Sequence, residues 1–326
     1  MKGLILGVGG QDGSYLADIL LERGYEVHGL YRRSSVDNLA RISHVRDRIH
    51  LHQGDITDPS SVSKAIEASR PHEIYNVADQ DHVGWSYATP GVSFDVTAKA
   101  VATILEVILH LDKGVRFYQP CSATMFGGEP YPQNEETRHD PQSPYACAKT
   151  AAYHVARYYR KIHGMFVSTC ILFNHDSPRR SGHYLLHQIC DDVMKVATTD
   201  KMEIRVGDPD MPVDIGYARE YMEAVVDILQ LSEPTDLVLA SDSLRTIRQV
   251  VEHAMSVMLR NKILSERKYQ DYVIVADSSL LRPGPQPTLI GNIRKARGEI
   301  GFTSRYNACS MVELLLTARI DTERTF

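Results

Sequence analysis

Tyr145 and Lys149 stand four residues apart in the run Tyr145-Ala146-Cys147-Ala148-Lys149. On a helix that spacing puts both side chains on one face. An ammonium beside a phenol favours the phenolate and lowers its pKa. Tyr145 is therefore expected to remove the proton of a substrate hydroxyl while hydride leaves for a bound acceptor. A Tyr and a Lys at this spacing are common by chance, and three neighbours give the pair its weight. Ser143-Pro144 opens a helix just ahead of it. The run CSATMFG (121–127) follows an apolar segment and offers Ser122. A glycine-rich turn stands at the start of the chain, in the order such sites require.

That turn is Gly7-Val8-Gly9-Gly10-Gln11-Asp12-Gly13. Residues 2–6 ahead of it are short and apolar, as in a buried strand, and residues 14–22 behind it carry apolar side chains at helical spacing. Gly7, Gly10 and Gly13 permit a tight turn and a close approach of backbone N–H groups to a pyrophosphate at a helix start, with Gln11 and Asp12 in the same loop. After the second strand comes Arg32-Arg33-Ser34-Ser35. An NAD site usually carries an acidic residue there. Two cations and two hydroxyls suit a 2′-phosphate, so NADP is expected, with NAD as the alternative. Asp55 and Ile56 are expected against the adenine. Val77 and Ala78 are expected beside the ribose, at the end of the fourth strand. Tyr145 and Lys149 complete the cofactor contacts.

The elements that must hold these residues read as alternating strand and helix. Strands are expected over 2–6, 25–31, 49–52, 73–77 and 116–121, and helices over 14–22, 60–69 and 97–111. The expected fold class is α/β, a Rossmann-type doubly wound parallel sheet. From about Leu172 the pattern loosens into Pro-, Gly- and Arg-rich stretches with shorter regular pieces. The expected division is a dinucleotide-binding domain over 1–171, carrying the Tyr/Lys pair, and a smaller irregular substrate-binding region over 172–326. No repeat or flexible linker separates them, so they are expected to share a rigid cleft.

The chain has 326 residues, 43% hydrophobic and 24% charged, with a formal net charge of -5. That balance offers no broad attraction to nucleic acid or to an anionic membrane. The five cysteines form no C-x-x-C pair and are odd in number, which argues against a metal site built on cysteine and against a disulfide framework. No apolar run approaches the ~20 residues a membrane span needs. A cytoplasmic protein is expected.

With these motifs in view, the sequence resembles the extended short-chain dehydrogenase/reductases, and among them the GDP-mannose 4,6-dehydratase group. The likeness covers nearly the whole chain. It includes GGQDGSYLADILLERGYEVHGLYRRSS (9–35), LHQGDITD (51–58), EIYNVADQDHV (73–83), RFYQPCSATMFG (116–127), SPYACAK (143–149), ILFNHDSPRRSG (171–182) and GYAREYMEAV (216–225). The resemblance implies a 4-keto sugar intermediate and a homodimer or homotetramer whose Arg-Arg-Ser-Ser loop reaches a neighbour's cofactor. It also implies substrate contacts from Asn174, from Arg282 on a diphosphate, and from position 188.

The chain departs from the group at defined places. Where the group has Ser or Thr followed two positions later by a glutamate that moves the C5 proton, this chain has Ser122 and Thr124. Strand alternation is expected to put both on one side. A threonine hydroxyl is too weak an acid for that transfer. Asp81, on the loop after the fourth strand, is the first candidate to replace the glutamate, with Cys121, Cys147, Glu135 and His175 behind it. At the nucleotide end an Arg-Asp-Trp stretch becomes Val213-Asp214-Ile215, a lysine becomes Gln188, and an acidic residue becomes Pro285. Fewer cations weaken the expectation of a diphosphate, so the substrate is expected to be a nucleotide sugar or a related nucleoside.

The leading expectation is an NADP-dependent dehydratase. It yields either a 4-keto-6-deoxy sugar or a 5,6-exocyclic alkene, the latter as in exocyclic dehydratases of antibiotic pathways. The alternatives are a 4-epimerase or 4-reductase, for which Ser-Ala-Thr (122–124) suffices, and a dinucleotide-sensing regulator without turnover.

Overall fold

Short, apolar segments that are buried on both faces pair in parallel to form the centre of the molecule, as such runs must when helices cover both sides. The computed structural model describes residues 1–281 and 283–324. Its strands are β1 (Lys2–Leu6), β2 (Glu26–Tyr31), β3 (Ile49–Gln53), β4 (Glu73–Asn76), β5 (Arg116–Ser122), β6 (Val167–Leu172), β7 (Asn174–Asp176), β8 (Glu203–Val206), β9 (Pro212–Val213), β10 (Ile215–Tyr217), β11 (Asp236–Leu239), β12 (Arg245–Thr246) and β13 (Val273–Ala276). The helices are α1 (Gln11–Glu22), α2 (Pro59–Ser69), α3 (Val83–Ser86), α4 (Pro90–Phe94), α5 (Ala100–Leu111), α6 (Pro144–His163), α7 (Leu185–Thr198), α8 (Ala218–Ile228), α9 (Ile247–Arg260), α10 (Glu266–Asp271), α11 (Arg294–Ile300) and α12 (Ala308–Arg324).

The main sheet runs β11-β6-β5-β4-β1-β2-β3, all parallel. The chain winds outward from β1 to β3, then returns to lay β4 on the other side of β1. That reversal opens a crevice beyond the C-terminal ends of β1 and β4, where such sheets bind ligands. The doubly wound Rossmann-type sheet expected from the sequence is thus the observed fold. The expected helix over 97–111 is split into a π turn at Asp95–Lys99 and α5. Helices α7 and α8 fall where only a loosening pattern was legible.

Chain from beyond residue 171 enters the sheet layer. β11 extends the sheet beyond β6, and α8 packs on α1 in a core with Leu16, Ile19 and Leu20. A separate apolar cluster joins α7, α9 and α12 to β8 through Leu186, Val193, Ile204, Val251, Met255 and Leu316. No helix among the described residues is long and apolar enough to cross a membrane.

Two local features position the site. The first is the start of α6. Ser143 caps it by accepting from Ala146 N at 3.1 Å, Pro144 fits the first turn, and Gly164 ends it in the left-handed region. The buried stripe Tyr145, Lys149, Ala152, Ala156 and Tyr159 faces the sheet at helical spacing. The second is a clamp between α1 and the segment after β6. His175 Nε2 lies 3.1 Å from Asp12, Ser177 Oγ donates to Gln11 Oε1 at 2.8 Å, and Arg179 pairs with Asp18 at 2.6 Å.

Burial opposes charge on both members of the Asp12–His175 pair, yet each partner overrides it. Asp12 is held below its ordinary 3.8, and His175 is held above its ordinary 6.5. The carboxylate's contribution is present above its unfolded pKa and lost as pH falls through the lowered folded value. The imidazolium's contribution is full below its unfolded pKa and lost as pH rises through the raised folded value. His175→Gln should therefore lose most stability, relative to the unchanged chain, between those limits, and the deficit should narrow on both sides. Urea unfolding from strongly acid to alkaline pH measures this, and a deficit that is flat with pH would contradict it.

Candidate active site

The β1–α1 turn is built for close approach. Gly7 has φ +91°, and a Cβ there would stand 2.8 Å from the Ala78 backbone. A Cβ on Gly13 would lie 2.2 Å from the Gly7 carbonyl oxygen. The turn therefore sits against the end of β4 with no side chain between them. Gly10 caps α1 without a side-chain hydrogen bond, which leaves first-turn N–H groups and the positive end of the helix facing the crevice. These donors fit a dinucleotide pyrophosphate. The side chains of Gln11 and Asp12 are turned instead to Ser177 and His175.

The other expected cofactor positions ring the same crevice. Arg32, Arg33 and Ser34 lie on an exposed loop after β2. Ser34 Oγ accepts from Val36 N at 3.2 Å, and Asn38 Nδ2 donates to Arg32 O at 2.6 Å, folding the loop back toward Gly9. Asp55 follows β3 and accepts from Thr57 N and Thr57 Oγ1 at 2.9 and 2.7 Å, with Ile56 buried beside it. Val77 N bonds to Leu6 O at 3.0 Å, and Val77 and Ala78 are half-buried.

The catalytic candidates meet at the mouths of β4 and β5. Tyr145 and Lys149 are buried on the first turns of α6, the Lys149 Nζ 5.7 Å from the Tyr145 ring centroid. Lys149 Nζ donates to Pro120 O at 3.0 Å and lies 2.5 Å from Asp79 Oδ2. Asp79 also accepts from Gln80 N at 2.8 Å and from the Thr97 hydroxyl. Ser122 lies near enough to the Tyr145 phenol to lower its pKa, and its Oγ is 2.9 Å from Thr124 Oγ1. This last pairing does not come from strand alternation as expected. β5 ends at Ser122, which caps a 3-10 turn over Ala123–Phe126 by accepting from Thr124 N.

The electrostatics also correct the sequence-based expectation for the phenol. Tyr145 has its pKa raised, not lowered. Burial is the largest cause. Lys149 pulls it down, but Asp79 and Asp81 push it up. Burial likewise works against the Lys149 ammonium, and there Asp79 and Tyr145 prevail, so Lys149 stays firmly charged.

Asp81 is exposed and accepts from the Tyr184 hydroxyl at 3.0 Å. The Arg180 guanidinium lies 3.5 Å from the Tyr184 ring centroid, and its Nη1 donates to His175 O at 2.6 Å. The weaker candidates separate. Cys121 is buried and its thiol is pushed up to about 12 by that burial, with no readiness to exchange a proton. Glu135 is spent on Val238 N of β11 at 2.7 Å, and His175 on Asp12. Cys147 is half-buried on α6. Asn174 is exposed at the start of β7, and Gln188 is exposed on α7 with Nε2 donating to His183 O at 3.3 Å. Arg282 lies outside the described residues. Asp214 is buried and accepts from Ser241 N and Gly291 N at 2.7 and 3.1 Å, a purely structural role.

Sequence reasoning missed Asp79, Thr97, Tyr184 and Arg180. A signal existed for Asp79, which stands two residues before Asp81 directly after an apolar strand. Nothing in the linear order pairs it with Lys149, 70 positions on.

The model of the family described as GDP-mannose 4,6 dehydratase matches residues 4–315. A relative from Arabidopsis thaliana, GDP-mannose 4,6 dehydratase 2, is 35% identical over 325 residues, covering 96% of this chain and 85% of that protein. Among solved structures, dTDP-glucose 4,6-dehydratase from Bacillus anthracis in complex with NAD superposes with a TM-score of 0.82 at 17% identity, covering 99% of this chain and 98% of that one. UDP-glucose 4-epimerase from Thermotoga maritima with UDP-glucose gives 0.83 at 18% identity, covering 99% of this chain and all of that one. At those identities the two structures speak for the fold. The match of motif, length and crevice leads to one conclusion: the chain belongs to the GDP-mannose 4,6-dehydratase family of extended short-chain dehydrogenase/reductases.

Proposed function

We propose that this protein is an NADP-dependent sugar dehydratase working through a transient 4-keto intermediate on a nucleotide sugar or a related nucleoside. The observation that carries this reading is the cluster of Tyr145, Ser122 and Lys149 with two carboxylates, Asp79 and Asp81, acting on the same phenol. In this reading Gly7, Gly10, Gly13, Asp55, Val77 and Ala78 line the dinucleotide's path. Arg32, Arg33 and Ser34 favour the 2′-phosphate. When bound, that group supplies the hydride acceptor and donor.

In its phenolate form, which the Lys149 ammonium favours, Tyr145 Oη takes the proton of the C4 hydroxyl, with Ser122 orienting the ring. Lys149 supplies the nearby positive charge. A ketone at C4 acidifies the C5 proton. Asp81 removes that proton and returns one to the C6 hydroxyl as the C6–O bond breaks, so that water leaves. The Tyr184 hydroxyl donates to Asp81 and holds it at the rim, with the Arg180 guanidinium packed on the Tyr184 ring. Region 172–326 contributes most of the substrate contacts, including Asn174 and Gln188. The family resemblance supports a homodimer or homotetramer, and the exposure of loop 32–35 is consistent with contact across its interface. Five unpaired cysteines are in keeping with a reducing, cytoplasmic setting.

A second reading, 4-epimerase or 4-reductase, is favoured by one feature: Thr124 stands where the family's acid would be. Product analysis separates them. Loss of water supports dehydration, and NMR then distinguishes a 4-keto-6-deoxy sugar from an exocyclic alkene. A product of unchanged mass supports epimerisation, and net consumption of NADPH supports reduction.

Tyr145→Phe should bind NADP as the unchanged chain does and lose turnover by roughly 10²–10⁴-fold, the usual worth of a positioned acid–base group. Near-normal turnover would remove Tyr145 from the chemistry. Asp81→Asn should still show cofactor reduction on substrate but no water loss; full elimination would pass the role to another group.

Asp79→Asn tests the charge balance. Its carboxylate raises the Tyr145 pKa, so removing the charge should lower it and shift the acidic limb of the kcat/KM profile to lower pH. A limb that stays put or moves upward would contradict this.

A further inference from the structure

On strands that carry none of the catalytic cluster, four side chains with metal-binding chemistry share one face. Glu26 and His28 alternate along β2, and His50 and His52 alternate along β3. The parallel register sets His28 directly beside His50. Period-two geometry then places all four on the same side of the sheet. The ligand atoms of Glu26, His28 and His50 all lie within 4.8 Å of one another.

We propose that Glu26, His28 and His50 form a site for a divalent transition metal of the zinc type, with His52 as the residue that orients His28. Two imidazole nitrogens and one carboxylate oxygen are a borderline ligand set that suits zinc, cobalt(II) or nickel(II) rather than calcium or magnesium. Three protein ligands leave the fourth tetrahedral position to water. Bonds of about 2.0–2.2 Å need donor atoms roughly 3.3 Å apart. His28 Nε2 and Glu26 Oε1 already stand 3.0 Å apart. The exposed His50 ring, stacked on His28 with centroids 4.7 Å apart, closes the set by a side-chain rotation.

His28 is the fixed point. It is 6% exposed and its Nδ1 lies 3.0 Å from His52 Nε2. An Nδ1–H donated to His52 leaves the Nε2 lone pair for the metal, the usual arrangement behind a ligating imidazole. The competing charge is Lys2, whose Nζ pairs with Glu26 at 3.0 Å and must give up that contact.

The test uses the full chain, stripped with a chelator. Cobalt(II) titrated into it should give ligand-field bands of tetrahedral strength that saturate at a single equivalent per chain, and zinc should bleach them. Calorimetry with zinc should show the same stoichiometry, weakening as pH falls. His50→Ala and Glu26→Gln, both at exposed positions that leave the core intact, should abolish the bands. His52→Ala should weaken zinc binding by about 10–100-fold, as loss of an outer-shell partner does. Absence of the bands in the unchanged chain, or cobalt binding that survives His50→Ala undiminished, would overturn the proposal.

Discussion

The site depends on one contact: a buried ammonium that needs a counter-charge. Lys149 is 3% exposed, and an unpaired charge at that depth costs several kcal/mol. Asp79 supplies the partner at 2.5 Å, and Pro120 O and the Thr97 hydroxyl complete the network around the two groups. Four segments are thereby locked together: the loop after β4, the end of β5, the turn before α5 and the first turns of α6. Tyr145 is one helical turn from Lys149, so its place at the mouths of β4 and β5 follows from that lock. The same contact has an electrical consequence. Burial raises the Tyr145 pKa, and Asp79 adds to it by offsetting the positive charge that favours a phenolate.

A second constraint joins the two sides of the crevice. The segment after β6 grips the first turns of α1 through His175, Ser177 and Arg179. Gln11 and Asp12 are occupied by that grip, which leaves backbone N–H groups as the anion-facing surface of the helix. Arg180, in the same segment, reaches the Asp81–Tyr184 pair. The loop that anchors the glycine turn therefore also shapes the rim where a substrate would sit.

Position 124 holds a hydroxyl, and two carboxylates stand just past the end of the neighbouring strand, at 79 and 81. One is buried and committed to Lys149, the other exposed and held by a tyrosine hydroxyl. Two carboxylates two residues apart thus have different surroundings, and only the exposed one keeps access to a ligand in the crevice.

The sequence by itself determined the β1–β5 part of the seven-stranded sheet, the glycine turn and the Tyr145–Lys149 pair. These rest on local signals: short apolar runs, glycines at fixed offsets, and a four-residue helical spacing. Family likeness extended that reading to the whole length of the chain. What only the tertiary structure decided were contacts between residues far apart in the chain. Lys149 finding Asp79, Glu135 being spent on β11, and Tyr145 being raised rather than lowered all belong here. A pKa depends on burial and on every charge within reach, and the packing of distant segments, which spacing along a chain does not encode, sets both.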